Sequence, residues 1–218
     1  MSNVDWGTAA SVARRFTSTY PLQDTYHERK FAMQADGYVA RASELVANET
    51  GLSLPGSPVV GVISREQWID TNIESFSMML APLEDKLART TGVTRSVASK
   101  VMGAEMGAML GFLSKRVLGQ YELVIPTADG GNGDSVFFVG ANVLSMERQH
   151  EFRPSHFRFW VALHECAHRA QFTGVPWMRD YFLSLVDRII DSSEPERGHL
   201  ARIVAELTSR DDSSDDFL

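Results

Sequence analysis

Three glycines stand four residues apart, at 103, 107 and 111, inside a stretch that otherwise reads as one helix from about Thr94 to Leu118. Each mid-helix glycine costs about 1 kcal/mol relative to alanine, and this spacing puts all three on one face. The cost makes sense if another backbone packs against that face closer than side chains would allow. The spacing therefore predicts an intimate helix–backbone contact inside the fold. The same stripe could be a self-association face, as in membrane helices. Glu105 and the flanking Lys100, Lys115 and Arg116 argue against a membrane span here.

A fold built around such a contact has ample material. The chain has 218 residues, 44% of them hydrophobic, which suits one domain at roughly 100–200 residues per domain. A chain of this length buries about 70% of its unfolded surface and needs no disulfide or metal merely to fold. The lone Cys166 cannot form an internal bridge and suits a reducing compartment. The first residues lack the layout of a secretory signal, and no apolar run approaches the ~20 residues of a membrane span. A cytoplasmic protein with no membrane partner is expected. Lys and Arg number 21 against 28 Asp and Glu, with four of the acids in the last eight residues. No basic run interleaved with aromatics is present, which speaks against nucleic acid.

Residues 5–17, 22–48 and 65–89 read as amphipathic helices. The breaker-rich GLSLPGSP at 51–58 is a loop, and Val59 to Ile63 a short strand. Tyr121 to Thr127 and Ser135 to Val143 are β-type runs joined by a turn-rich ADGGNGD, which predicts a hairpin. The second run, SVFFVGANV, is placed at the edge of a small antiparallel sheet. Phe157 to Phe172 is a strong helix with Gly174 at the C′ position and Pro176 opening the next helix, to about Ile190. A last helix is expected over 196–208. One domain over 1–208, mainly helical α+β, and a disordered acidic tail over 209–218 complete the reading.

The chemistry resides in His164-Glu165-Cys166-Ala167-His168. Four residues is just over one helical turn, so both imidazoles project from one face where a single ion can bridge them. Glu165 lies about 100° round the helix from His164, where it can hold a metal-bound water and take its proton. Imidazole pairs suit Zn2+ better than magnesium or calcium. With 6 His and 14 Glu in the chain, a shuffle produces this pattern in roughly 1% of sequences. The bland alternative is a pair of histidines satisfied by ordinary hydrogen bonds. Phe157, Trp160, Val161, His164, Ala167 and His168 line one stripe, and burying unpartnered imidazoles there would be costly.

A third ligand is not evident. The extended motif fails because position 171 is Gln and position 174 is not His. Asp180, Asp187, Asp191, Glu194, His199 and Glu206 are the downstream candidates, each more ordinarily a solvated residue. Asp180 could instead accept a hydrogen bond from a ligating imidazole. Cys166, about 200° from His164, is expected in the core as a small apolar side chain. His27, His150 and His156 lack ligand spacing.

Several stretches resemble one family. They are Val4-Asp5-Trp6, Thr50-Gly51-Leu52 with Pro55-Gly56, GAEMGAMLGFLSKRVLGQY at 103–121, VGANV at 139–143, FRFW at 157–160 and LHECAHRAQFTGVPWMRD at 163–180. In this order they resemble the actinobacterial zincin-like metallopeptidases, some associated with biosynthesis of the deazaflavin coenzyme. The resemblance implies a zincin-like fold, His164 and His168 as metal ligands, and Glu165 as general base. Members typically continue beyond the point where this sequence stops. The chain thus resembles an N-terminal portion of a member, and the third ligand is expected in the remainder.

Two functions follow. The leading one is a zinc-dependent hydrolase acting on peptide bonds, with an extended peptide pairing against an exposed strand edge. The rival is a non-catalytic binding or scaffold protein that keeps a peptidase-like fold with a structural or absent metal. A self-associating helical protein would rest on the glycine stripe alone.

Overall fold

The computed structural model describes residues 4–17, 20–87, 93–124 and 133–192. Among them are seven helices, α1 (Trp6–Phe16), α2 (Tyr26–Thr50), α3 (Arg65–Leu87), α4 (Val93–Leu113), α5 (Gly140–Gln149), α6 (Pro154–Gly174) and α7 (Met178–Ser192). Three strands, β1 (Val59–Ile63), β2 (Gly119–Glu122) and β3 (Ser135–Val139), make one sheet. The mainly helical α+β class is as expected. The helix expected over 196–208, the acidic tail and residues 125–132 of the expected hairpin lie outside the described residues. No described helix is long and apolar enough to cross a membrane.

Local chemistry sets the helix ends. Asp5 caps α1, its Oδ1 accepting the Thr8 N–H at 2.9 Å. Gly51 ends α2 in the left-handed conformation at φ 68°, its N–H donating to the Ala47 carbonyl. Gly174 ends α6 differently. Its backbone is not left-handed, and a Cβ there would come within 2.8 Å of the Ser53 carbonyl oxygen. It serves close approach of the 51–58 loop, not a C′ turn.

The glycine stripe of α4 packs on α1. A Cβ at Gly103 would overlap the Asp5 carbonyl oxygen, and one at Gly107 would overlap that of Ala9. At Gly111 it would meet Phe16 Cβ at 2.8 Å and the Ala13 carbonyl oxygen at 2.9 Å. Ala9 and Ala13 are wholly buried in this seam, and the Asp5 N–H donates to the Ser99 carbonyl at 2.9 Å. The stripe is an internal packing surface, as the spacing predicted. α4 stops at Leu113, short of Leu118.

The sheet departs from expectation in three ways. Its order is β1-β3-β2, with β1 parallel to β3 and β2 antiparallel to it, so it is mixed. β3 is therefore its centre, as befits its apolar sequence, buried at Val136, Phe138 and Val139. The edge facing α6 belongs to β2. The chain also leaves the strand at Val139, and Gly140–Gln149 is helical. Asn142 accounts for the turn: its Nδ2 donates to the Ser114 and Val117 carbonyls at 2.8 and 2.7 Å, and its Oδ1 accepts from Arg65 Nε. A buried side chain that satisfies two carbonyls cannot lie in a strand's solvent-facing row.

The principal core forms where α2 and α6 meet the sheet, with Phe31 and Val39 of α2 against Phe138, Val161 and Cys166. Buried ion pairs orient α6. Arg158 forks onto Glu147 at 2.6 and 2.8 Å and lies over the Phe31 ring. Arg169, 1% exposed, forks onto Asp134 at 2.7 and 2.8 Å and donates to the Pro55 carbonyl at 2.6 Å.

Candidate metal centre

α6 begins with Pro154 at its first turn, where a missing N–H costs nothing. It buries the arc that holds Val161, Ala162, Cys166 and Ala170. This turns His164, Ala167 and His168 outward. Of the six residues expected to share one apolar stripe, only Val161 is buried, and Trp160 is 54% exposed. The imidazoles therefore stand on the exposed side of the helix, because α6 turns the arc carrying Glu165 and Arg169 into the protein. The cost argument from burying them does not apply.

The two rings converge. His164 Nε2 lies 3.2 Å from His168 Nε2, and the ring planes are 89° apart. Two nitrogens bound at about 2.0–2.1 Å to one tetrahedral zinc would be about 3.3–3.4 Å apart. The pair is thus set at close to a shared-ligand separation. The contact also suits an N–H···N bond between neutral rings. Partial burial holds His164 below the usual imidazole range, and the neighbouring His168 adds to this. That favours the neutral, metal-binding form. The Trp160 ring stacks on His164 at 6.1 Å and 26° and on Phe157 at 6.0 Å and 10°, forming an aromatic wall beside the pair.

Glu165 points elsewhere. It is 6% exposed, and its Oε2 accepts the backbone N–H of Tyr121 at 3.0 Å. A Cβ on Gly119 would lie 2.8 Å from Glu165 Oε1, so the bare glycine is what leaves room for the carboxylate against β2. Burial pushes this carboxyl up to about 7, against the opposing effect of the Tyr121 N–H. Cys166 is wholly buried, close to Ser43 Oγ at 3.4 Å, and burial raises its thiol. It is a core residue, as expected.

No group of three or more His, Cys, Asp or Glu side chains able to hold a metal occurs among the described residues. Asp180 and Asp187 therefore do not complete a site with the imidazoles. The side chain of Asp191 and all of Glu194, His199 and Glu206 lie outside the described residues. His27 and His156 sit on α2 and α6, and His150 caps α5. The residues that sequence reasoning missed are Gly119, Tyr121 and Arg169. Arg169 carried a signal, a charge three residues after Cys166 on the buried arc. The other two carried none, since their role depends on a strand edge brought from 44 residues away.

The chain matches the family model of the zincin-like metallopeptidases over residues 4–217. It belongs to that family. A solved structure of a candidate hydrolase with a novel fold, from Chloroflexus aurantiacus, is similar at 31% identity and a TM-score of 0.68. The match covers 90% of this chain and 62% of that one, so this family member spans less than two-thirds of the solved protein. No curated protein matches the chain significantly.

Proposed function

We propose that this protein is a zinc-dependent metallohydrolase, peptidase-like in chemistry. One observation carries the reading: two imidazole nitrogens 3.2 Å apart on the exposed face of a zincin-like helix. His164 and His168 would hold the ion through Nε2. When bound, zinc supplies a Lewis acid and lowers the pKa of a coordinated water towards ~7. Glu165, with its carboxyl at about 7, is matched to accept a proton at a carboxylate oxygen near neutral pH. Trp160 packs against His164 and limits the ways its ring can turn. The third protein ligand would come from outside the described residues, with Asp191, Glu194, His199 and Glu206 as the candidates within this sequence. A cytoplasmic location belongs to the same proposal.

The sealed position of Glu165 favours a second reading, a binding or scaffold protein in which this carboxylate supports the strand. Metal analysis with variants separates the two. Stoichiometric zinc in the wild type, lost in His164→Ala and kept in Glu165→Gln, is expected. Hydrolysis of a quenched-fluorescent peptide library by the wild type and not by Glu165→Gln completes the case. A wild type that takes up no zinc would defeat the hydrolase reading, and zinc without hydrolysis would favour the scaffold.

A further inference from the structure

β2 is the terminal strand of the sheet, and its Tyr121 N–H is turned away from β3 and donates to Glu165. A backbone donor on a sheet edge ordinarily meets water or the carbonyl of an added strand. Here a side-chain carboxylate takes the carbonyl's place. The fit is built from both sides: Gly119 leaves the room for Glu165 Oε1, and a Cβ there would also crowd Val161 Cγ1 at 3.0 Å. The Tyr121 ring, stacked on Phe172 of α6 at 6.2 Å and 21°, fixes the strand over the helix.

Building on the hydrolase reading, we propose that Glu165 is a latch on the Tyr121 N–H. An extended peptide backbone docks on the outer edge of β2 by offering a carbonyl oxygen to that same donor, which frees the carboxylate. Binding of the chain to be cut and release of the proton acceptor are then one event. Gly119 is a positioning residue in this scheme, since any side chain there would displace the carboxylate from its resting place.

The test uses zinc-free protein and a fluorescein-labelled degenerate hexapeptide pool, read by fluorescence anisotropy on variants that are folded by circular dichroism. Glu165→Ala removes the competing acceptor and should tighten binding about fivefold, the worth of one hydrogen bond. Tyr121→Pro deletes the donor but no bond to β3, and proline is tolerated at such an edge position. Tyr121→Ala keeps the donor and controls for loss of the ring. In the Glu165→Ala background, Tyr121→Pro should abolish the gain and Tyr121→Ala should retain it. Amide exchange at Tyr121 should be slow in the wild type, fast in Glu165→Ala, and slow again with the peptide pool. Unchanged binding in Glu165→Ala, or equal effects of the two Tyr121 variants, would overturn the latch. Zinc content of the wild type, measured separately, tests the hydrolase reading without touching this one.

Discussion

Replacing Gly107 with alanine sets two physical effects against each other, and the structure says which wins. Helix propensity alone favours alanine by about 1 kcal/mol. Yet the new Cβ would overlap the Ala9 carbonyl oxygen and stand 3.0 Å from both the carbonyl carbon and Cα of Ala9. Carbon atoms pack best at about 3.5–4.0 Å, so α1 must retreat by roughly 0.5–1 Å. Such a gap forfeits a quarter to a half of the dispersion energy along the seam. The obstacle is backbone, which cannot swing aside, so the overpacking cost of about 1–3 kcal/mol applies and outweighs the propensity gain. Gly37 is the internal control. It sits in the middle of α2, and a Cβ added there would meet nothing within 4 Å, so Gly37→Ala should gain about 0.5–1 kcal/mol. Urea denaturation midpoints at unchanged slope read both changes. If Gly107→Ala is as stable as Gly37→Ala, α4 does not pack on α1 as described.

Three further outcomes are expected. Glu165 ionises at 4.5 in water and at about 7 when folded, so its share of stability is complete below 4.5 and falls as pH rises to about 7. In chelator-treated protein the wild type should lose on the order of 3 kcal/mol more than Glu165→Gln across that window; parallel curves would contradict this burial. Asp134→Ala strands the buried Arg169 and should cost about 3–5 kcal/mol in thermal or urea unfolding; a loss below about 1 kcal/mol would mean the pair is solvated. Cys166 should resist a thiol reagent in the native protein and react on unfolding, and rapid native labelling would place it at the surface.

Much of the local structure could be read from the chain. The 103/107/111 glycines announced a close backbone contact, the breaker-rich 51–58 stretch announced a loop after α2, and the histidine spacing announced a shared face. These are effects of near neighbours, governed by helical period and by backbone conformations open to glycine. The 139–143 segment misled, because VGANV has a β-type composition while Asn142 is drawn into a helix by carbonyls on the Ser114–Val117 turn. The parallel pairing of β1 was equally hidden, since its partner lies beyond two helices in sequence.

The order of residues along α6 was enough to bring two imidazoles together and to put Glu165 and Cys166 on other arcs, because a helix's geometry is set within a few residues. Which arc meets water was decided by what packs on it. The sheet and α2 claim Val161, Ala162 and Cys166, leaving the histidines outside, and the bare Gly119 with the free Tyr121 N–H draws the Glu165 carboxylate onto β2. Those partners come from distant parts of the chain, and no local period encodes a contact that only folding creates.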